Sequence, residues 1–224
     1  MNQMEVMQIL SKVGAVITDS HIVYASGKHG EVYVNKDAVY PHTAETSRLC
    51  HAIAERFAGD NVEVVIAPAI GGVKLSDRVA EHLSALTTRS VLSIYAEKQV
   101  VSISDPEGLG RACYAETGEF AIRRGYDKLV AGRNVLVVED VLTTGGSAKK
   151  VVEATRAKGG NVIGLGVLCN RGGIMPKDVA DVPKLTALVS VKLNAYDEAT
   201  CPLCAKNIPI NTDVGKGRKF LALQ

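Results

Sequence analysis

Apolar residues along the chain follow two periods, and these divide most of the sequence. Met7, Leu10 and Val13 recur at helical spacing and predict a first amphipathic helix over 4–13. Ile22–Tyr24 and Glu31–Asn35 read as short strands around the turn Ser26-Gly27-Lys28-His29-Gly30. From Thr43 to Phe57, Leu49, Ile53 and Phe57 stand at i, i+4 and i+8 opposite Glu45, Arg48 and Glu55, which is a helix with one apolar face. Strands and helices then alternate. Strand Val62–Ile66 precedes helix Lys74–Leu86, and strands Val91–Tyr95 and Val135–Val138 precede helix Ala148–Ala157. Strands Val162–Leu168 and Leu185–Val191 follow. Near-continuous runs of Val, Ile and Leu fit strands covered on both faces of a parallel sheet. The expected fold is α/β, a doubly wound and mostly parallel sheet.

Two segments break this rhythm. Gln99–Gly118 is rich in Gly, Ser, Asp and Glu and too polar for core, so it reads as a mobile loop of the kind that closes over a site. The tail beyond Leu193 contains Pro202, Pro209, Gly215 and Gly217 with little periodicity. There is no internal repeat. The organisation expected is a single domain over 1–224, with a core of about 41–194 and a small cap from about 1–40 and 195–224.

Composition narrows the classes. A hydrophobic share of 46% supplies a sizeable core and excludes disorder. Aromatics at 4% with no Trp give no stacking platform, and a net charge of +2 is far from a nucleic-acid-binding stripe. No apolar run approaches the roughly 18 residues of a membrane span, and no signal peptide is legible at the start. Five cysteines, an odd count, favour reduced thiols in the cytoplasm over a disulfide framework. Cys201-Pro202-Leu203-Cys204 offers half of a tetrahedral metal site, and the five histidines show no ligand spacing. A structural turn is the preferred account there, and no protein metal site is expected.

The chemistry concentrates at Val135–Ser147. A four-residue apolar strand ends in Glu139 and Asp140, continues through Val141, Leu142, Thr143, Thr144, Gly145 and Gly146, and enters a helix at Ser147. In open α/β sheets, ligands bind beyond the carboxyl ends of strands, where these groups lie. Gly145 and Gly146 let backbone N–H groups converge, the helix N-terminus adds partial positive charge, and three hydroxyls add donors. Such a cup suits a terminal phosphate. Glu139 and Asp140 would repel that phosphate but suit the vicinal hydroxyls of a ribose. Successive strand residues face opposite ways, so one carboxylate is expected at the ribose and the other to be partly structural. Neither leads on sequence grounds. Competing motifs fail: there is no G-x-x-x-x-G-K-[ST], and Gly164-Leu165-Gly166 lies inside a strand and reads as close packing. Ala67-Pro68-Ala69-Ile70-Gly71-Gly72 makes a second strand-to-helix loop where Gly71 and Gly72 permit close approach.

Glu139–Ser147 resembles the phosphoribosyl-diphosphate signature of the type I phosphoribosyltransferases. Ser26–His29, Tyr95–Lys98, Arg123–Tyr126 and Cys201–Cys204 together are similar to the orotate branch, and the resemblance spans nearly the whole chain. It implies transfer of a phosphoribosyl group from phosphoribosyl diphosphate to orotate, with Mg²⁺ carried on the diphosphate, in a homodimer without nucleic-acid or membrane partners. It implies that Ala69, Gly71 and Gly72 hold the diphosphate, that Lys98 is one of the cations on the leaving group, and that Arg171 meets the carboxylate of the base. Lys28 is a further contact. The chain departs from the family at its loop: no Lys or His lies between Gln99 and Gly118, where Arg111 is the candidate cation, with Arg123 and Arg124 as others. Where many relatives have Lys before the Ser-Gly pair, this chain has Ala25. Two alternatives therefore stand beside orotate: transfer to another nucleobase, and a non-catalytic sensor of phosphoribosyl diphosphate.

Overall fold

The computed structural model of the chain describes residues 1–24, 26–104, 112–191 and 194–223. It divides into two compact units, Met1–Thr46 with Val189–Gln224, and Ser47–Leu188. These boundaries differ by several residues from those drawn at 40 and 195.

The first unit opens with α1 (Gln3–Lys12), capped reciprocally by Asn2 and Glu5: the Asn2 side chain accepts from Glu5 N at 3.0 Å, and Asn2 N donates to Glu5 Oε2 at 2.7 Å. Four two-residue strands follow, β1 (Val16–Ile17), β2 (Ile22–Val23), β3 (His29–Gly30) and β4 (Tyr33–Val34). They pair antiparallel as β1 with β4 and β2 with β3.

The second unit is built on a six-stranded sheet. After α2 (Thr43–Phe57), which starts in the first unit, come β5 (Val64–Pro68), α3 (Val73–Thr87), β6 (Leu92–Ile103), β7 (Cys113–Ala121), the short α4 (Asp127–Val130), β8 (Asn134–Leu142), α5 (Gly146–Ala157), β9 (Asn161–Asn170) and β10 (Leu185–Ser190). The strand order is β10-β9-β8-β5-β6-β7. β9, β8, β5 and β6 run parallel, and β7 is antiparallel to β6. In the remainder of the first unit lie α6 (Pro202–Ala205) and α7 (Gly217–Leu221).

Both faces of the sheet are covered, which explains the continuous apolar runs. Val135 and Val137 of β8 and Leu165 and Val167 of β9 share one buried cluster with Ala148, Val151 and Val152 of α5. The alternate positions of β9 are Gly164 and Gly166, and α2 lies against them: a Cβ at Gly164 would stand 2.7 Å from Phe57 Cε1, and one at Gly166 would stand 2.7 Å from Ile53 Cγ2. The pair of glycines is a packing device, as their place inside a strand predicted. Phe57 is fully buried, and truncating such a ring to Ala costs about 3–5 kcal/mol. Among the described residues, no helix is long and apolar enough to cross a membrane.

Two expectations from sequence are corrected. β6 does not end at Tyr95 but runs to Ile103, and it pairs with β7 from Glu97↔Ala121 to Ile103↔Cys113. The described part of 99–118 is therefore mostly a two-stranded ribbon in place of a loop. β8 likewise continues past the two carboxylates to Leu142, so Val141 and Leu142 are strand residues in place of loop.

Candidate active site

Parallel pairing of β9, β8, β5 and β6 brings four chain segments to one edge of the sheet. They are Arg171 after β9, Thr143–Ser147 after β8, Ala69–Gly72 after β5, and Lys98 beyond the last parallel pair of β6 at Pro68↔Ala96. This carboxyl edge is where open α/β sheets bind ligands.

The centre of the edge is the β8–α5 turn. Gly145 caps α5 with φ +76°, a left-handed conformation that favours glycine, and its carbonyl accepts from Lys149 N at 2.9 Å. Gly145 offers no capping side chain, Thr144 Oγ1 accepts from Gly146 N only at 3.4 Å, and the first turn carries no acidic residue. The N–H groups of that first turn therefore keep their positive potential for a ligand. Glu139, Val141, Leu142, Thr143, Thr144, Gly145, Gly146, Ser147 and Ala148 line a pocket of about 140 Å³. That is below the roughly 300–1,000 Å³ of a drug-sized ligand site and suits one small polar group. Ala148 is the one lining residue outside the sequence-based set; its place in the first turn of the helix was the available signal.

Both carboxylates are buried, Glu139 at 6% exposure and Asp140 at 3%. Strand alternation separates them: Glu139 lines the cradle, whereas Asp140 is absent from that lining and its Oδ1 accepts from Val141 N at 2.6 Å. Glu139 Oε1 accepts from Asp140 N at 3.2 Å.

Arg171 reaches the cradle. Its Nη2 donates to Thr143 Oγ1 at 3.2 Å, and Leu142 O accepts from both Arg171 N at 2.9 Å and Gly172 N at 3.0 Å. The β5 loop is tied to β6 by Ala69 N donating to Ala96 O at 2.8 Å, and its Ala69–Ile70 peptide is cis. Gly72 meets the loop's own base, since a Cβ there would stand 2.6 Å from Ala67 Cβ.

The expected cations are disposed differently from the sequence reading. Lys98 lies within β6, beside the bulge between Lys98 and Val100, and its Nζ pairs with Glu116 Oε2 of β7 at 2.8 Å. Arg124 is engaged by Glu97 Oε1, at 3.1 Å from Nε and 2.7 Å from Nη2, and its guanidinium lies 5.9 Å from the Tyr95 ring centroid. Arg111 and Ala25 lie outside the described residues. Lys28 belongs to the first unit, where its Nζ lies 3.3 Å from Asp197 Oδ1.

The phosphoribosyl transferase domain model matches residues 35–193. Proteins named orotate phosphoribosyltransferase from Desulforamulus reducens and Pelotomaculum thermopropionicum are each 36% identical to this chain, over 93% of it and 95% of their own length. The solved orotate phosphoribosyltransferase of Aeropyrum pernix superposes with a TM-score of 0.59 at 24% identity, over 83% of this chain and 93% of that one, which is a likeness of fold. The chain belongs to the phosphoribosyltransferase family, in its orotate branch.

Proposed function

We propose that the chain transfers the phosphoribosyl group of phosphoribosyl diphosphate to orotate, giving orotidine monophosphate and diphosphate. One observation carries this reading: an uncapped helix N-terminus and three hydroxyls form a phosphate-sized cup directly beside a buried carboxylate. A 5-phosphate in the cup puts the ribose hydroxyls towards Glu139, which lines it, while Asp140 holds Val141 N of the same strand end. The donor enters as its Mg²⁺ complex, and oxygen-rich groups of this kind suit a hard cation.

In the reaction, a ring nitrogen of the base forms a bond to the anomeric carbon while the bond from that carbon to the diphosphate oxygen breaks. Diphosphate leaves with the electron pair, and the proton of the attacking nitrogen passes to solvent. No nucleophilic side chain is required. The protein contributes by holding both reactants in line and by placing donors where negative charge collects. The Ala69–Gly72 loop and Lys98 serve the diphosphate, and Arg171 is the group on this edge suited to a planar carboxylate by paired hydrogen bonds. Lys28 is a further contact to the substrates. The reading includes a homodimer, supported by Val100, Val101, Ile103 and Tyr114, which remain exposed on the β6–β7 ribbon.

The test is to incubate the chain with phosphoribosyl diphosphate, Mg²⁺ and a panel of bases, and to follow diphosphate release. Release with orotate supports the proposal. Release with an uncharged base alone replaces orotate by that base. Donor binding without release from any base makes the chain a sensor, a reading that Lys98, paired with Glu116, and a loop without Lys or His would favour.

A further inference from the structure

The first unit holds a second constellation, unrelated to the cradle. His21 stands just before β2 and His29 opens β3, and both are 2% exposed or less. The C-terminal segment fixes their backbones: His21 bridges Ile210, with Asn211 N donating to His21 O at 2.8 Å. His29 bridges Tyr196 through reciprocal bonds of 2.8 and 2.9 Å. Facing them, Cys201 caps α6, its carbonyl accepting from Ala205 N at 3.1 Å, and Cys204 lies within that helix. The helical turn between the cysteines turns both thiols to one side.

Four donor atoms, one from each residue, lie within 4.8 Å of one another. His21 Nε2 is 2.8 Å from His29 Nδ1, 3.8 Å from Cys201 Sγ and 3.6 Å from Cys204 Sγ, and Cys204 Sγ is 3.3 Å from His29 Nδ1. Zinc bonds of roughly 2.0–2.1 Å to nitrogen and 2.3 Å to sulfur, at tetrahedral angles, put ligand atoms about 3.3–3.8 Å apart. Three of the four spacings fall within that range, and the two nitrogens stand closer by half an ångström. The orientation of His21 is also fixed. Its Nδ1 lies 2.7 Å from Ile208 O, a pure acceptor, so Nδ1 carries a proton and Nε2 turns its lone pair into the cluster. A carbonyl holding the far nitrogen of a ligating imidazole is the usual outer support of a metal site.

We propose that His21, His29, Cys201 and Cys204 bind one Zn²⁺. Two thiolates and two imidazoles in a tetrahedral arrangement select zinc over harder divalent ions. With four protein ligands there is no open position, so the site is structural. It joins residues 175 to 183 positions apart and ties the C-terminal segment to the β2–β3 ribbon within the first unit. Sequence spacing gave only the Cys-x-x-Cys half; the histidines come from the ribbon pairing.

The full chain purified without chelator should carry one zinc per chain by elemental mass spectrometry, and Cys204→Ser and Cys201→Ser should lower this to background. Replacing zinc by Co²⁺ in the wild-type chain should give the intense visible bands and sulfur-to-cobalt charge transfer of a tetrahedral thiolate site. Chelation should expose two further thiols to a chromogenic reagent and lower Tm, with Zn²⁺ restoring both. These readouts on the unaltered chain hold even if the variants fold poorly. A chain that takes up no Zn²⁺ or Co²⁺ under reducing conditions overturns the proposal. So does a native Cys201–Cys204 disulfide in its place, or zinc that stays stoichiometric in both serine variants.

Discussion

A methyl group on the α-carbon of Gly172 would be driven into the carbonyl oxygen of Thr143. The segment after β9 therefore lies directly against the phosphate cradle, with Leu142 O gripping Arg171 N and Gly172 N. Gly172→Ala should displace Thr143. We expect the KM for phosphoribosyl diphosphate to rise at least tenfold, equivalent to about 1.4 kcal/mol, while the circular dichroism spectrum is kept. Steady-state kinetics checks it.

Asp140 is buried at the end of the central strand. Asp140→Asn keeps the shape of the side chain and removes the charge that accepts from Val141 N beside the cradle. Turnover should fall by about 10²-fold, the scale of losing one electrostatic contact in a transition state. Tm should change little. Unchanged kcat would remove Asp140 from the reaction.

Arg171→Ala should separate the base contact from the fold. Loss of a paired hydrogen bond to a carboxylate predicts that kcat/KM for orotate drops far more than for an uncharged base analogue. Equal losses for the two bases would instead assign Arg171 to the cradle, through its bond to Thr143.

At Gly145 the obstacle is conformational as well as steric. Its φ is +76°, and a Cβ would stand 2.9 Å from Val179 Cγ1. Gly145→Ala should cost about 1–2 kcal/mol for the left-handed backbone, and more if Val179 cannot move. Urea unfolding measures this directly.

His82 gives a pH dependence. Its Nε2 is 2.9 Å from Ser47 Oγ, its ring centroid is 5.1 Å from that of His51, and burial, then the charge of His51, hold its pKa below 6.5. A base with a lowered folded-state pKa contributes stability above its unfolded value and loses it as pH falls through the folded one. Stability should therefore decline as pH falls below about 6.5, and His82→Gln should flatten that part of the curve. Thermal melts across this window show whether it does.

Thiol accessibility offers a last check. Burial pushes the Cys50 thiol up to about 12 and the Cys169 thiol up to about 11, so neither forms thiolate near neutrality. Alkylation of the native chain at about pH 8 should label the half-buried Cys113 and spare both until denaturant is added.

Elements that bury a face were legible in the sequence. Helix α2 was read with the bounds it has, because Leu49, Ile53 and Phe57 carry its period. The end of β8 was not legible, since Val141 and Leu142 follow two carboxylates and lead into Thr and Gly; pairing with β9 as far as Leu142↔Asn170 extends the strand over them. The β6–β7 ribbon escaped for a related reason. Beyond Lys98 its strands support each other mainly by backbone hydrogen bonds, which any residue type can make, so no apolar period records them. The cradle was legible because glycine conformation and hydroxyl chemistry are local, whereas His21 and Cys204 meet only through pairing distant in sequence.

Glu139 and Asp140 ride on one of the two innermost strands of the sheet, whose amides should exchange with solvent only when the whole unit opens. A destabilising core substitution will then not loosen the carboxylates by degrees. It will reduce the number of molecules that possess them, so titrated active sites should fall in step with the folded fraction while each remaining site turns over at its original rate.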